Sequence, residues 1–182
     1  IHITTGAHDN FIQGNEIGAG LGGATLAGPS NAVGIQIMNG SDFNAIGGDR
    51  ANIEQNVITG NATIGVQINN SDNTIIGGNY IGTLDGGATY GGPNQIVGIY
   101  LENGADNTAI GDPSAVGFMN LISANMGDGI SLDGSSTAVA GTVIQNNFIG
   151  TDDSGLGNIG NSGNGIYGVD CPNTIIGGAG IN

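Results

Sequence analysis

The stretch Asn73-Thr74-Ile75-Ile76-Gly77-Gly78-Asn79-Tyr80-Ile81-Gly82 contains two short apolar runs with a pair of glycines between them, and two asparagines. Its first half returns unchanged from Asn173 to Gly178. Its second half returns with small changes from Asn147 to Gly150 and from Asn15 to Gly18. A motif that recurs along a chain is the signature of a repeat architecture. The sequence therefore predicts a fold built from stacked repeats.

The composition narrows the class of repeat. Glycine accounts for 38 of the 182 residues, far above its usual share of about 7%. The glycines lack the triplet period of collagen, and isoleucine, valine and leucine are too frequent for a disordered linker. The frequent glycines interrupt any apolar pattern with a period of 3.6 residues, which excludes a helical repeat. The remaining explanation is that the glycines lie at the corners of a strand-rich repeat, because corners need positive φ angles.

The charge restricts the partners. The chain has 15 acidic residues, one arginine and no lysine, which gives a net charge of −14. This balance argues against nucleic acid and anionic membranes, and it favours cations such as Ca²⁺. No apolar run approaches the roughly 20 residues that span a bilayer. The single cysteine, Cys171, excludes an internal disulfide and a cysteine-rich zinc site.

Three strand signals recur in a fixed order. The first is a glycine followed by apolar residues at alternate positions, which is typical of a half-buried strand. Its copies begin at Gly34, Gly65, Gly98, Gly129 and Gly165, with Ile1-His2-Ile3 as a sixth. We expect the intervening side chains to point outward: Gln36, Gln67, Tyr100 and Ser131.

The second signal is Asp-x-x-x-Ile-Gly, and the third is Asn-x-Ile. The second begins at Asp42, Asp72 and Asp106, and Val143-Ile144-Gln145 aligns with it loosely in a weaker copy. The third begins at Asn15, Asn56, Asn79, Asn120 and Asn147, and Asn182 stands where a sixth copy would begin. We predict that these five asparagines form an internal ladder at one corner, each bond contributing roughly 0.5–1.5 kcal/mol.

The spacing of the third signal predicts the architecture. Successive copies lie 41, 23, 41 and 27 residues apart. Three short strands with corners need about 20–25 residues, which is one rung of a parallel β-solenoid. We therefore predict an all-β parallel β-helix of about five to six rungs, alternately short and long. The extra residues fall in loops 18–33, 82–97 and 150–164.

The segment Asn147-Phe148-Ile149-Gly150-Thr151-Asp152-Asp153-Ser154-Gly155, followed by Gly157-Asn158 and Gly160-Asn161, resembles a known group. It is similar to the repeats of bacterial secreted right-handed parallel β-helix proteins, the pectate-lyase-like group. The resemblance covers nearly the whole chain and implies a right-handed β-helix at an extracellular or cell-surface location. It does not decide the function, because this architecture carries lyases, hydrolases, epimerases, adhesins and passive stalks. We expect residues 1–182 to form one β-solenoid domain, a segment of a longer array or a filament subunit.

Asp152 and Asp153 form the only adjacent acidic pair. In hydrolases of the resembled group, paired aspartates protonate the leaving oxygen and activate water. The accompanying histidine and arginine–lysine motifs are missing, since His2 and His8 lie at the start of the chain and there is no lysine. We predict no catalytic residue. The hard oxygens of this turn instead suggest calcium at Asp152 and Asp153, and the alternative is a simple turn.

Three further patterns have structural explanations. Arg50 is the only permanent cation, and we expect a salt bridge with its neighbours Asp49 or Glu54. The repeated aspartates of the second signal should face solvent or accept backbone amides at their corner. Tyrosines on the sheet surface are ordinary, although a sugar-binding role is a further hypothesis for Tyr90, Tyr100 and Tyr167.

Two hypotheses for the function follow. The first is a non-catalytic structural β-solenoid of an extracellular fibre, stalk or adhesin, which self-associates head to tail or through neighbouring repeats. The second is a carbohydrate-active β-helix enzyme, a polysaccharide lyase or hydrolase, or its glycan-binding portion. A cleft in which acidic and basic side chains converge on one sheet would distinguish them, and we predict no such convergence.

Overall fold

The computed structural model describes residues 1–20, 24, 31–88, 94–112 and 116–178. This part of the chain contains seventeen short strands and three 3-10 turns, at Arg50–Asn52, Asp85–Gly87 and Val116–Phe118. Tyr90 and Asn182, which the sequence analysis singled out, lie outside the described residues.

The strands, numbered β1 to β17 in chain order, form three parallel sheets. Sheet A contains β1 (His2–Ile3), β4 (Val33–Met38), β7 (Ile64–Asn69), β10 (Val97–Glu102), β13 (Ile130–Asp133) and β16 (Ile166–Val169). Sheet B contains β2 (Phe11–Ile12), β5 (Ala45–Gly47), β8 (Ile75–Gly77), β11 (Ala109–Ile110), β14 (Val143–Ile144) and β17 (Ile175–Ile176). Sheet C contains β3 (Glu16–Ile17), β6 (Val57–Ile58), β9 (Tyr80–Ile81), β12 (Leu121–Ile122) and β15 (Phe148–Ile149).

The chain visits the sheets in the order A, B, C and then starts again one turn further along the axis. The predicted all-β parallel β-solenoid is therefore confirmed, with about five turns. Each strand signal corresponds to one sheet, the Gly signal to sheet A, the Asp signal to sheet B and the Asn signal to sheet C. The loosely aligned copy at Val143 also occupies its expected place, because Val143 and Ile144 pair with Ala109 and Ile110.

The core is a set of isoleucine columns. Residues that pair between neighbouring turns point to the same side of the sheet, so each inward side chain packs on the inward side chain of the next turn. Ile46 packs on Ile76 in this way, and Ile76 packs on Ile110. All three of these side chains are at most 1% exposed. Parallel strands lie about 4.8 Å apart, so each isoleucine contacts its copies above and below. The interior is therefore continuous along the axis.

The glycine corners are required by the stacking. Gly82 has a φ angle of +91°, and a Cβ atom there would lie 2.1 Å from the carbonyl oxygen of Ser123 in the next turn. Any side chain at this position would push the two turns apart. This close approach accounts for part of the glycine content.

The alternation of short and long rungs is present in sheet C and has a simple origin. The stacked asparagines of this sheet are 41, 23, 41 and 27 residues apart. Paired residues of sheet A are more evenly spaced, at 31 to 36 residues. The difference arises because extra residues enter alternately before and after sheet C. The sequence pattern predicts the loops after sheet C but not those before it, which join β5 to β6 and β11 to β12.

No helix within the described residues is long and apolar enough to cross a membrane.

The inward and outward positions predict opposite responses to a new charge. Ile76 is fully buried in sheet B, and Gln67 points outward from sheet A of the same turn. Ile76→Asp places an unpaired carboxylate in the core, which costs several kcal/mol, and should prevent folding. Gln67→Asp loses the bond to Glu102 and places a like charge beside it, so it should fold with a moderately lowered thermal midpoint. Thermal melts followed by circular dichroism compare the two, and equal midpoints would contradict this assignment of faces.

Candidate functional site

The five asparagines of the third signal form a ladder of hydrogen bonds. In each step, the backbone N–H and the side-chain Nδ2 of one asparagine both donate to the Oδ1 of the next. For Asn79 and Asn120, both distances are 3.0 Å. The second hydrogen of Asn79 Nδ2 points to backbone carbonyls, of which Ile46 O lies 2.9 Å away. This ladder closes the corner between sheets B and C.

The outer face of sheet C carries a second apolar cluster, which the sequence analysis missed. Val57, Tyr80 and Leu121 point away from the main core, yet they are at most 7% exposed, and Phe148 packs against them. A signal was present in the sequence: the middle residue of Asn-x-Ile is apolar or aromatic in every copy after Asn15. An outward row of apolar residues indicates a covered face.

Loops from different turns cover this cluster. Gly87, in the loop after β9, approaches Asp153, in the loop after β15, so closely that a Cβ on Gly87 would lie 2.9 Å from Asp153 N. These two loops meet across an intervening turn. The loop that contains Arg50 comes before β6, so it reaches the same outer face from the opposite end of the strands. Loops from different turns therefore converge on the outer face of sheet C.

Arg50 is held at this convergence by three groups. Its Nη1 donates to Asp153 Oδ1 at 2.6 Å, and its Nε donates to Gly78 O at 3.2 Å. Its guanidinium carbon lies 4.2 Å from the centre of the Tyr80 ring, a distance typical of a cation–π contact. The Tyr80 hydroxyl donates to the other oxygen of Asp153 at 3.2 Å. We call Arg50, Tyr80 and Asp153 the loop clasp.

The prediction that Arg50 forms a salt bridge with Asp49 or Glu54 was wrong. Among the described residues, the carboxylate in salt-bridge contact with Arg50 is Asp153, which lies 103 positions away in sequence. The neighbouring carboxylates bond to backbone instead: Asp49 accepts from Ala51 N, and Glu54 accepts from Asp49 N. Asp49 and Glu54 bond to the backbone of their own turn. Arg50 instead pairs with a carboxylate on the loop of a different turn.

The surroundings of Tyr80 favour its protonated form. Burial raises the pKa of Tyr80 above its ordinary value, and the nearby carboxylates of Asp153 and Asp85 add to this effect, while Arg50 opposes it. Tyr80 therefore stays protonated at neutral pH and acts as a hydrogen-bond donor. Arg50 is paired and its side chain is 16% exposed. An acidic and a basic side chain thus meet over sheet C, contrary to the prediction that none would converge on one sheet, and their contact joins two loops.

Asp152 and Asp153 have different partners although they are adjacent. Asp152 Oδ1 accepts from Ser154 N, Ser154 Oγ and Leu156 N, which is the pattern of an aspartate that closes a turn. The hydroxyl of Ser154 makes the largest contribution to lowering the pKa of Asp152. Within the described residues, no group of three or more His, Cys, Asp and Glu side chains is placed to hold a metal ion. Calcium at Asp152 and Asp153 stays a prediction.

The aspartates of the second signal form a column that we call the Asp column: Asp42, Asp72 and Asp106. Asp42 Oδ1 accepts from Asp72 N at 2.8 Å, and Asp72 Oδ1 accepts from Asp106 N at 3.1 Å. Burial raises the pKa of Asp72, the hydrogen bond from Asp106 N opposes this effect, and the like charges of Asp42 and Asp106 add to it. The expectation that these carboxylates bond backbone amides agrees with this geometry.

The outer face of sheet A is polar. Gln36 donates to Gln67, and Gln67 donates to Glu102 at 2.6 Å. The Tyr100 hydroxyl donates to Asp133 at 2.7 Å. Burial and this hydrogen bond raise the pKa of Tyr100. Gln36, Gln67 and Tyr100 are half-buried on this face, whereas Ser131, between Tyr100 and Tyr167, is only 6% exposed.

No protein-family model, curated protein or solved structure matches the chain significantly. The resemblance to the pectate-lyase-like group therefore stays a prediction beyond the shared β-solenoid architecture.

The loop clasp predicts how trypsin attacks the chain. Arg50 is the single Lys or Arg residue, and its pairing with Asp153 hides the side chain that the protease must bind. Asp153→Asn removes the charge of the partner and should speed cleavage after Arg50 by about three- to tenfold through local opening. The measurement is the rate of appearance of the two fragments under native conditions.

Asp152→Asn is the matched control, since it makes the same change of charge one residue away without a contact to Arg50. It should be cleaved at the wild-type rate. Equal acceleration in both variants would show that the clasp does not protect Arg50.

Proposed function

We propose that this chain is a non-catalytic structural β-solenoid, a stiff segment of an extracellular fibre, stalk or adhesin. The observation that supports this best is the asparagine ladder. The amide groups that recur once per turn bond to the turn above or below, so the polar side chains of this corner serve the cohesion of the stack. A rod held by bonds parallel to its axis resists bending and extension.

The charged groups support the same proposal. The single arginine joins two loops, Asp152 closes a turn, and the Asp column bonds backbone amides. Each of these groups has a structural role that accounts for its position. The strongly acidic surface also suits an extracellular rod, because net charge keeps such proteins soluble and apart.

Self-association along the axis is the second part of the proposal. Core-facing isoleucines line an open cavity of about 190 Å³ at the last described turn, among them Ile144, Ile149, Ile166 and Ile176. Ile176 is 60% exposed although it continues the column of Ile76 and Ile144. A second copy of the chain, stacked on this turn, would cover these side chains. Contacts of this kind do not close on themselves, so they produce a filament.

A glycan-binding or glycan-cleaving β-helix is the second candidate. The outer face of sheet A favours it, since Tyr167 is 46% exposed and the same face presents Glu102 and Asp133. An aromatic ring beside carboxylates and amides is a common surface for sugars. In this alternative, Asp152 or Asp153 would supply the acid chemistry.

Electron microscopy combined with a turnover assay tests the proposal. We expect filaments or end-to-end assemblies, shortened by Ile176→Asp but not by Tyr167→Asp, which adds the same charge to the outward face of the same turn. We expect no turnover of polygalacturonate or alginate, with or without calcium. Turnover that Asp152→Asn or Asp153→Asn abolishes would establish the enzyme instead. Discrete monomers at high concentration would contradict self-association.

A further inference from the structure

The outer face of sheet B carries an uninterrupted apolar row. One residue from each strand points away from the core, and the pairing of the strands aligns them along the axis. We call this row the outer strip: Phe11, Ala45, Ile75, Ala109, Val143 and Ile175. Ile75 lies in the middle of the stack with a turn on either side of it, and it is still 47% exposed.

The comparison with sheet C shows that the outer strip is unusual for this molecule. Both sheets present apolar residues on their outer faces. On sheet C the chain covers them with its own loops, so that Leu121 is fully buried. On sheet B the equivalent side chains remain half-exposed or exposed. A contiguous exposed apolar row on a soluble protein marks a surface that contacts something else.

Phe43 adds an independent observation beside the outer strip. It has a φ angle of +58°, the left-handed conformation that bulky residues rarely adopt. The equivalent positions in the other turns hold the residue types that tolerate this conformation, namely Asp9, Asn73, Asn107, Gly141 and Asn173. The Phe43 side chain is 59% exposed and gains little from packing. A strained backbone that presents an aromatic ring to solvent points to a role outside folding.

The Asp column runs alongside the outer strip. Asp42 and Phe43 are adjacent, and Asp72 precedes Ile75 by three residues, which limits their separation to about 11 Å. The strip is therefore bordered by stacked carboxylates and by an exposed aromatic ring. Carboxylates attract cations directly, and the face of a phenyl ring attracts them through its quadrupole. This combination is complementary to a partner that is both basic and apolar.

We propose that the outer strip binds a basic, apolar polypeptide segment of a partner protein. Apolar side chains of the segment pack on Ala45, Ile75 and Ala109, while its lysine or arginine side chains contact the Asp column and Phe43. The outer strip lies on sheet B, whereas the loop clasp lies over sheet C. The strip runs along the side of the stack and does not depend on contacts at its ends. The inference therefore stands whether or not the chain forms filaments.

A second copy of this chain is the less suitable occupant. The chain has a net charge of −14 and a single arginine, so two copies meeting through sheet B would bring acidic surfaces together. The second copy has no lysine, and its one arginine is paired with Asp153, so it is poorly suited to neutralise the Asp column. A basic segment gains from the same charges that oppose a dimer.

The test uses a fluorescent peptide of alternating lysine and valine as the probe and polylysine as the charge-only control. Fluorescence anisotropy at low ionic strength should show saturable binding of the peptide that is tighter than that of polylysine. Ile75→Ser should weaken peptide binding by about fivefold through the loss of apolar contact. Gln67→Ser, on the outer face of sheet A in the same turn, should leave it unchanged.

Phe43→Asn separates binding from folding. Asparagine is the residue that other turns hold at this position, so the substitution relieves strain and should raise the thermal midpoint. The same variant should bind the peptide about fivefold more weakly, because the aromatic ring is lost. A merely structural irregularity would change the midpoint alone.

Three results would overturn the proposal. One is no saturable binding of the peptide. Another is binding that is as tight for polylysine as for the peptide and insensitive to Ile75→Ser. The third is a concentration-dependent dimer, seen by light scattering, that Ile75→Ser dissociates, since a second copy would then occupy the outer strip.

Discussion

The parallel pairing of the described strands places each strand side chain next to its equivalent in the neighbouring turn, and the rest of the structure depends on that constraint. An isoleucine gains from contact with another isoleucine, and an asparagine can donate and accept within one column. A carboxylate has no such advantage, because it meets a like charge. The sequence reflects this difference: isoleucine and asparagine continue from turn to turn, while the Asp column stops after three members and relies on backbone amides.

The three outer faces show what stacking leaves undetermined. Sheet A presents polar groups that bond to one another, sheet C presents apolar groups that loops cover, and sheet B presents apolar groups in the open. The inward columns are nearly the same in all three sheets. Function in such a fold therefore resides in the outward positions and the loops, which can vary without disturbing the core.

The fold could be predicted from the sequence because repetition makes it redundant. Repeated copies of each signal, five for Asn-x-Ile and three for Asp-x-x-x-Ile-Gly, fix the strands even where a single copy is weak, as at Val143. The pairing of Arg50 with Asp153 could not be predicted in this way. It joins two loops that lie in different turns, and neither residue belongs to a repeated signal. The covered face of sheet C had a signal in Val57, Tyr80 and Leu121, but the period of two alone suggested that outward residues would be exposed.

The asparagine ladder is the interaction on which this account relies most, and chemical denaturation of Asn79→Ala tests it directly. The change removes the acceptor of two donors on Asn56 and one of the two donors to Asn120 Oδ1, all in a fully buried corner. We predict a loss of about 2–4 kcal/mol in the free energy of unfolding. Asn69→Ala, which removes one bond from the outer face of sheet A, should cost less than about 1 kcal/mol. An equal, small loss in both variants would show that the ladder does not hold the turns together.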